Sequence, residues 1–151
     1  MARVALDTSV VVEYVDERGE LHEQAEAVFE AIIAGRLEAV VPHPVLAETY
    51  YVAARIYEAL GLEGAEERAA ELVEWLYRLP TVAVRGVDLE LALETGAAKL
   101  KYGMALTDCF VLAAAGVYGG KALFKKRERE MLERAEELER EYPVVFLEDY
   151  A

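Results

Sequence analysis

The sequence predicts a three-layer α/β/α fold, in which a central, mainly parallel sheet of four to five strands lies between two layers of helices. Short apolar segments of strand length alternate with longer amphipathic segments along the 151 residues. This alternation is typical of βα units, whose parallel strands are covered by helices on both faces. Hydrophobic residues make up 55% of the chain, and no linker or repeat interrupts it. Residues 1–151 are therefore expected to form one domain.

The first strand is predicted at residues 4–6, where the run Val-Ala-Leu ends at Asp7. A helix is expected directly after it, because Ser9 or Thr8 can accept a hydrogen bond from the free backbone N–H groups of a first helical turn. With Ser9 as the cap, Asp7 is left free for another role.

Two helices flank the second strand. Apolar residues recur at helical spacing over residues 25–33, and Gly35 ends that helix. Residues 38–42 form the second strand. Pro44 then occupies a first-turn position of a long helix that extends to about Leu60.

The middle of the chain departs from strict alternation, because a second helix follows the long one before the next strand. The segment "GLEG" separates the two helices, and apolar residues over 69–76 mark the second. Residues 81–86 form the third strand, and Asp88 is expected to cap a helix over residues 89–100.

The last third contains the most apolar helix, which is expected to begin at Thr107 and to be buried. A short strand at residues 122–124, a charged helix over about residues 126–141 and a strand at residues 144–147 complete the chain. The face of the charged helix that turns toward the sheet is expected to carry Met131, Leu132, Ala135 and Leu138.

The composition limits the function classes. A net charge of −13 argues against nonspecific nucleic-acid binding, which needs local positive charge, although residues 121–129 contain five basic residues and one acid. The chain has no asparagine and one glutamine beside many charged residues, which is typical of thermophiles. The single cysteine, Cys109, is expected in the core and excludes a disulfide framework. With no secretion signal and no apolar run of ~20 residues, we expect a cytoplasmic protein without membrane contact.

Three acids stand in apolar surroundings, each near a strand end or a helix start: Asp7, Glu48 and Asp108. Ligands of parallel α/β sheets bind beyond the carboxyl ends of the strands, where such residues converge. Each acid also has a structural alternative. Asp7 could cap a helix, Glu48 could lie on a solvated helix face, and Asp108 could interact with the helix dipole behind a Thr107 cap.

Together the three acids predict a site for a hard cation. Clustered carboxylates repel each other unless a cation neutralises them, and an all-oxygen site favours Mg²⁺ or Mn²⁺. Zinc is disfavoured because Cys109, His22 and His43 are far apart, without the spacing of zinc ligands.

Three segments resemble motifs of the PIN-domain ribonucleases, in particular the VapC-type toxins of prokaryotic, including archaeal, toxin–antitoxin pairs. They are "LDTSVVVEY", "VPHPVLAETYY" and "ALTDCFVLAAA", which occur in the family's order and at compatible spacing. The resemblance implies a PIN-like fold over residues 1–151. It also implies a ribonuclease that hydrolyses RNA phosphodiester bonds with one or two Mg²⁺ or Mn²⁺ ions.

The resemblance also assigns residues to this site. Asp7, Glu48 and Asp108 are implied as the catalytic, metal-binding acids. Supporting hydroxyl groups are expected from Thr8, Ser9 and Thr107.

The segment after the fourth strand departs from the family pattern. The family has a fourth acid there, whereas this chain has Lys125, Lys126 and Arg127. Glu128, or else Glu130, is expected to supply the missing carboxylate and to bind metal. The basic residues expected to attract RNA phosphates are Lys121, Lys125, Lys126 and Arg127. The alternative is that they pair with the Glu-rich helix behind them.

The resemblance further implies a small antitoxin as partner and a homodimer, with an apolar surface between Tyr50 and Leu76 as a contact region. One rival interpretation stays open, namely a PIN-like module that binds RNA or a protein partner with weak or no nuclease activity. The basic residues in place of the fourth acid favour this rival, and the three retained acids argue against it.

Overall fold

Five short strands pair in parallel and form the sheet on which the rest of the protein is built. The structure is a computed structural model and describes residues 1–151. The strands are β1 (Ala2–Leu6), β2 (Leu37–Pro42), β3 (Val82–Arg85), β4 (Lys121–Phe124) and β5 (Val144–Phe146). Their order across the sheet is β3-β2-β1-β4-β5, and every neighbouring pair is parallel. The predicted α/β class is confirmed.

Eight helices connect and cover the strands. They are α1 (Thr8–Val15), α2 (His22–Ile33), α3 (His43–Ala59), α4 (Ala65–Arg78), α5 (Leu89–Tyr102), α6 (Leu106–Tyr118), α7 (Arg129–Glu133) and α8 (Ala135–Glu141). A 3₁₀ helix, Leu147–Tyr150, follows β5. Helix α6 packs on β1, β2 and β4 and is covered by α5, while α2 packs on β2 and α4 packs on α3 and β3. None of the helices is both long and apolar enough to span a membrane.

Helix α6 lies close to the sheet because its buried side chains are small. Cys109 and the three alanines Ala113–Ala115 are all buried, as are Val111 and Leu112. Helix α6 returns directly into β4 through Gly119 and Gly120, so it runs antiparallel to the strands. Gly120 has φ +121°, and a Cβ there would collide with the carbonyl group of Arg3 on β1.

These connections bring several chain segments to the carboxyl edge of the sheet. Strand β1 ends there before Asp7, β2 ends there and leads directly into α3, and β4 ends there before Lys125. Because α6 runs antiparallel to the strands, its first turn with Asp108 lies at the same edge. The fold thus gathers side chains that are about 100 residues apart in sequence.

The predicted charged helix over residues 126–141 is wrong in its continuity. It consists of α7 and α8, which are separated at Arg134, where φ is −134°. The Arg134 guanidinium lies 5.1 Å from the centre of the Tyr102 ring and donates to the carbonyl oxygen of Lys101. Leu132 is 62% exposed instead of facing the sheet, because it lies about 100° around α7 from its buried neighbour Met131. Met131 and Leu138 are buried as expected.

Candidate active site

A cavity of about 430 Å³ opens at the carboxyl edge of the sheet. Its thirteen lining residues include six carboxylates but only one basic group, the ammonium group of Lys125. The carboxylates belong to Asp7, Glu13, Glu48, Asp108, Glu128 and Glu130. The three acids singled out in the sequence therefore lie in one place, together with both candidates for a fourth acid.

Asp7 is fixed at the end of β1 and is almost completely buried. Its backbone N–H donates to the carbonyl oxygen of Leu123 on β4 at 3.1 Å, which continues the sheet by one residue. Its Oδ2 accepts from the backbone N–H of Ser9 at 3.0 Å, so that Asp7 is the N-cap of α1. The other oxygen, Oδ1, is buried and has no hydrogen-bond partner. This orphaned oxygen is a free acceptor at the wall of the cavity.

The expected capping role of Ser9 is therefore wrong. Because Asp7 already accepts the N–H of the first turn, the Ser9 hydroxyl is available for a different contact. It accepts a hydrogen bond from the backbone N–H of Lys125 at 3.0 Å, which joins α1 to the end of β4. Asp7 therefore takes the capping role that the sequence left open for it and keeps one buried oxygen without a partner.

The pKa of Asp7 is raised to about 6, mainly by burial and in addition by the nearby charge of Glu48, against hydrogen bonds from Ser9 that lower it. Asp108, in the first turn of α6, is affected more strongly. Burial and then the charges of Asp7, Glu48, Glu128 and Glu130 raise its pKa to about 8. The cavity thus resists holding all its carboxylates ionised at neutral pH unless positive charge enters.

Glu48 lies on α3, half-buried, and its orientation is set from the neighbouring helix. The Thr107 hydroxyl on α6 donates to Glu48 Oε2 at 2.7 Å. Thr107 thus contributes a hydroxyl that contacts the acidic set. Thr8 does not, because its buried hydroxyl bonds the carbonyl oxygen of Val45 at 3.3 Å and the hydroxyl of Thr49 at 3.1 Å. The expectation for Thr8 is wrong.

Glu128 and Glu130 both line the cavity, on the segment that enters α7. Both raise the pKa of Asp108, and Glu128 does so more strongly. Either carboxylate is therefore close enough to interact with the acids at the ends of β1 and α6, and Glu128 interacts more.

The four basic residues expected near RNA are not equivalent. Lys121 is the first residue of β4 and therefore lies at the amino edge of the sheet, about 10 Å from the strand's other end. Its expected position next to the cavity is wrong, because a strand separates its two ends. Lys126 pairs with Glu20 at 3.4 Å and lies outside the cavity lining.

Arg127 is bound to acids of the C-terminal segment, residues 134–151, which contains α8, β5 and the 3₁₀ helix. Its guanidinium pairs with Asp149 at 2.9 Å and with Glu139 of α8 at 3.1 Å, and it lies 4.1 Å from the centre of the Phe146 ring. The sequence alternative, in which these basic residues pair with the Glu-rich helix, thus describes Arg127. Among the four residues, Lys125 alone lines the cavity.

Glu13 is the lining residue that sequence reasoning missed. It is only 3% exposed, and its Oε1 pairs with Lys125 Nζ at 3.1 Å. The available signal was an acid within the apolar run "VVVEYV", four residues after Ser9 and hence on the same helix face. Its partner lies more than a hundred residues further along the chain, so the pairing itself had no local signal.

Residues 4–137 match the family model of the PIN domain. The chain belongs to the PIN domain family. No curated protein matches it in sequence.

Solved structures share the fold of this PIN domain at low sequence identity. A toxin–antitoxin complex from Klebsiella pneumoniae has a TM-score of 0.62 at 16% identity, covering 97% of this chain and 98% of that chain. The sarcin-ricin loop cleaving toxin VapC20 from Mycobacterium tuberculosis has a TM-score of 0.62 at 17% identity, covering 79% and 86%. VapBC2 from Rickettsia felis, bound to a DNA fragment from its promoter, has a TM-score of 0.60 at 11% identity, covering 82% and 88%.

The donor set of this PIN domain fits a hard divalent cation by chemistry. The cavity offers carboxylate and hydroxyl oxygens and no thiol or imidazole, and the buried Asp7 Oδ1 has an unused lone pair. No group of three or more His, Cys, Asp or Glu side chains is arranged to hold a metal directly. Mg²⁺ commonly keeps several waters and is held by one or two carboxylates. Such a partly hydrated ion suits this wide cavity.

Proposed function

We propose that this PIN domain, formed by residues 1–151, is a metal-dependent ribonuclease that hydrolyses RNA phosphodiester bonds in the acidic cavity. One observation carries the proposal. Asp7, with an unpartnered buried oxygen, lies in one cavity with Glu48 and Asp108, and the pKa values of both aspartates are raised by burial and mutual repulsion. Such an arrangement is costly in an empty cavity and becomes favourable when a divalent cation is bound.

The proposed roles follow from the contacts of each residue. Asp7, Glu48 and Asp108 would hold a partly hydrated Mg²⁺ or Mn²⁺ ion, and the Thr107 hydroxyl orients Glu48. When bound, the metal supplies activation of water and neutralisation of phosphate charge. Glu128, which interacts most strongly with Asp108 after the two other acids, is proposed as the fourth carboxylate.

We also propose that this domain acts as the toxin of a VapBC-type pair in the cytoplasm. The solved structures of similar fold include a toxin–antitoxin complex and a VapBC2 assembly, which supports a small antitoxin as partner. A homodimer is supported by an exposed apolar stripe on α5, where Leu89, Leu93 and Leu100 are 74%, 65% and 90% exposed. The large apolar side chains exposed between Tyr50 and Leu76 are individually less exposed, at most 58%.

A second candidate function is an RNA- or protein-binding module with weak or no nuclease activity. The observation that favours it is the absence of three carboxylates arranged to hold a metal directly. This candidate predicts RNA or partner binding that does not depend on Mg²⁺ and no cleavage by the wild type.

The test is cleavage of single-stranded RNA with Mg²⁺ or Mn²⁺ by the wild type and by Asp108→Asn. We expect the wild type to cleave and the variant to lose at least about 100-fold in rate, because a metal-holding carboxylate becomes neutral. Glu90→Gln is the matched control, since Glu90 lies in the first turn of α5 as Asp108 lies in that of α6. Equal rates for the wild type and Asp108→Asn would contradict the proposal.

A further inference from the structure

Lys125 is held at the wall of the acidic cavity by contacts to two other segments, α1 and the 3₁₀ helix that follows β5. Its backbone N–H donates to Ser9 Oγ of α1 at 3.0 Å, and its carbonyl oxygen accepts from the backbone N–H of Glu148 at 3.1 Å. Its ammonium group lies 3.1 Å from Glu13 Oε1. Both its backbone and its charged end are therefore fixed, although a free lysine side chain has many rotamers.

Glu13 is built into the protein as the partner of Lys125. Its Oε2 accepts from the backbone N–H of Leu21 at 2.7 Å, so each oxygen of the carboxylate has one partner. The chain passes so close to it at Gly19 that a Cβ there would lie 2.6 Å from the carboxylate. A buried carboxylate in such a site is strongly destabilising without its cation, which ties the Lys125 ammonium to this position.

The ammonium group is nevertheless open to the cavity. The Lys125 side chain is 25% exposed. A lysine ammonium group has three N–H donors, and Glu13 is the one acid that pairs with it. No other basic group lines the cavity. The other five lining carboxylates would repel a phosphate that enters the cavity. Lys125 is the one positively charged side chain there that could bind it.

Glu13 also keeps this charge away from the acids proposed to hold the metal. The salt bridge of Lys125 is with Glu13, and none joins its ammonium group to Asp7, Glu48 or Asp108. Without Glu13, the flexible ammonium group would be attracted to the other carboxylates of the cavity, where it would compete with a divalent cation.

We propose that Lys125 is a substrate-binding residue that contacts a backbone phosphate of RNA in the cavity, and that Glu13 is a positioning residue that holds Lys125 clear of the metal-binding acids. The inference rests on the proposed function, since it takes RNA as the substrate. Lysine is suited to this role as a compact charge with several donors.

The Lys125 half of the pair is tested by RNA binding in the Asp108→Asn background, in which cleavage is lost. We expect Lys125→Met to weaken binding of single-stranded RNA about 10-fold and to reduce the slope of log K against log salt by about 0.7, the value for one phosphate contact. Lys125→Arg should restore the slope. Lys126→Met, which removes the adjacent lysine outside the cavity, is the matched control and should change neither quantity.

The Glu13 half is tested by Mn²⁺ titration, followed by calorimetry or electron paramagnetic resonance. We expect Glu13→Gln to weaken Mn²⁺ binding about 10-fold, Lys125→Met to leave it unchanged, and the double variant to recover the wild-type affinity. The exposed pair Lys126–Glu20 supplies the control, since Glu20→Gln should have no effect. If Lys125→Met does not fold, because it leaves Glu13 buried without its cation, comparing the Glu13→Gln/Lys125→Met double variant with Glu13→Gln still tests the phosphate contact.

The failure of this inference and the failure of the ribonuclease proposal give different results. If Lys125→Met and Lys126→Met bind RNA alike, or if the double variant binds Mn²⁺ as weakly as Glu13→Gln, the pair has a structural role only and the inference is overturned. If the wild type cleaves no RNA while the Lys125-dependent slope is present, the ribonuclease proposal fails and the phosphate contact stands.

Discussion

The acids of this PIN domain have opposite surroundings in the cavity and in the C-terminal segment. In the cavity, burial and repulsion raise the pKa of Asp7 to about 6 and that of Asp108 to about 8. In the C-terminal segment, Arg127 lowers the pKa of Asp149 and Arg134 lowers that of Glu137. The protein therefore pairs its C-terminal acids with its own cations and leaves Asp7, Glu48 and Asp108 in the cavity without them.

This difference indicates where an external cation is needed. Basic residues are not scarce near the cavity, because Lys125, Lys126 and Arg127 follow β4 directly. Each of them pairs with a glutamate or an aspartate other than the three acids proposed to hold the metal. Asp7, Glu48 and Asp108 form no ion pair with any of the chain's basic groups, which leaves them for a divalent ion.

The largest expected effect is the loss of RNA cleavage when an acid of the cavity is neutralised, compared with an acid of the C-terminal segment. Asp7→Asn keeps an acceptor for the N-cap of α1 but removes the charge, so RNA cleavage should fall at least about 100-fold. Asp149→Asn, in the C-terminal segment, should cleave at the wild-type rate. A cleavage assay on both purified variants checks this, and a comparable loss in the two would show that position in the cavity is irrelevant.

A smaller effect is expected in the pH dependence of stability. Because the folded-state pKa values of Asp7 and Asp108 exceed 3.8, the metal-free protein loses stability as pH rises above about 4, up to about pH 6 for Asp7 and pH 8 for Asp108. For Asp7 the raised pKa corresponds to a loss of about 3 kcal/mol in the free energy of unfolding once the pH is well above 6.

Thermal unfolding at pH 5 and at pH 8.5, with and without Mg²⁺, measures this effect. We expect Mg²⁺ to raise Tm more at pH 8.5 than at pH 5, because the cation binds the ionised carboxylates. The acids of the C-terminal segment act in the opposite direction. Because their pKa values are lowered, they stabilise the fold when ionised, and this stabilisation is lost as pH falls below about 4. A Mg²⁺ shift of equal size at both pH values would contradict the assignment of the cation to the cavity.

The smallest effect is expected on stability when the cation that pairs with the acids of the C-terminal segment is removed. Arg127→Met loses the pairs with Asp149 and Glu139 and the contact with the Phe146 ring, which together should cost about 1 kcal/mol in the free energy of unfolding. Mn²⁺ affinity should not change, because Arg127 does not line the cavity. Denaturant unfolding and Mn²⁺ titration of the same preparation check both statements. A loss of Mn²⁺ binding would contradict the separation of the cavity from the C-terminal segment.

The convergence of Asp7, Glu48 and Asp108 could be predicted because each acid interrupts an apolar segment next to a strand end or helix start. The same reasoning overlooked Glu13, although it also lies in an apolar run, because a single acid inside a helix has many ordinary explanations. It also placed Lys121 beside the cavity, since nearness in sequence was taken as nearness in space. A strand separates its two ends by its full length, which puts Lys121 at the opposite edge.

The sequence by itself determined the alternation of strands and helices, and with it the edge of the sheet where the acids meet. These features follow from local periodicity and from the directions that parallel strands impose. Only the tertiary structure decided which polar groups pair: Lys125 with Glu13 and Arg127 with Asp149 as ion pairs, and Thr107 with Glu48 as a hydrogen bond. Each pair joins residues more than twenty positions apart, so its distance and burial, which set its strength, exist only once the sheet has brought the segments together.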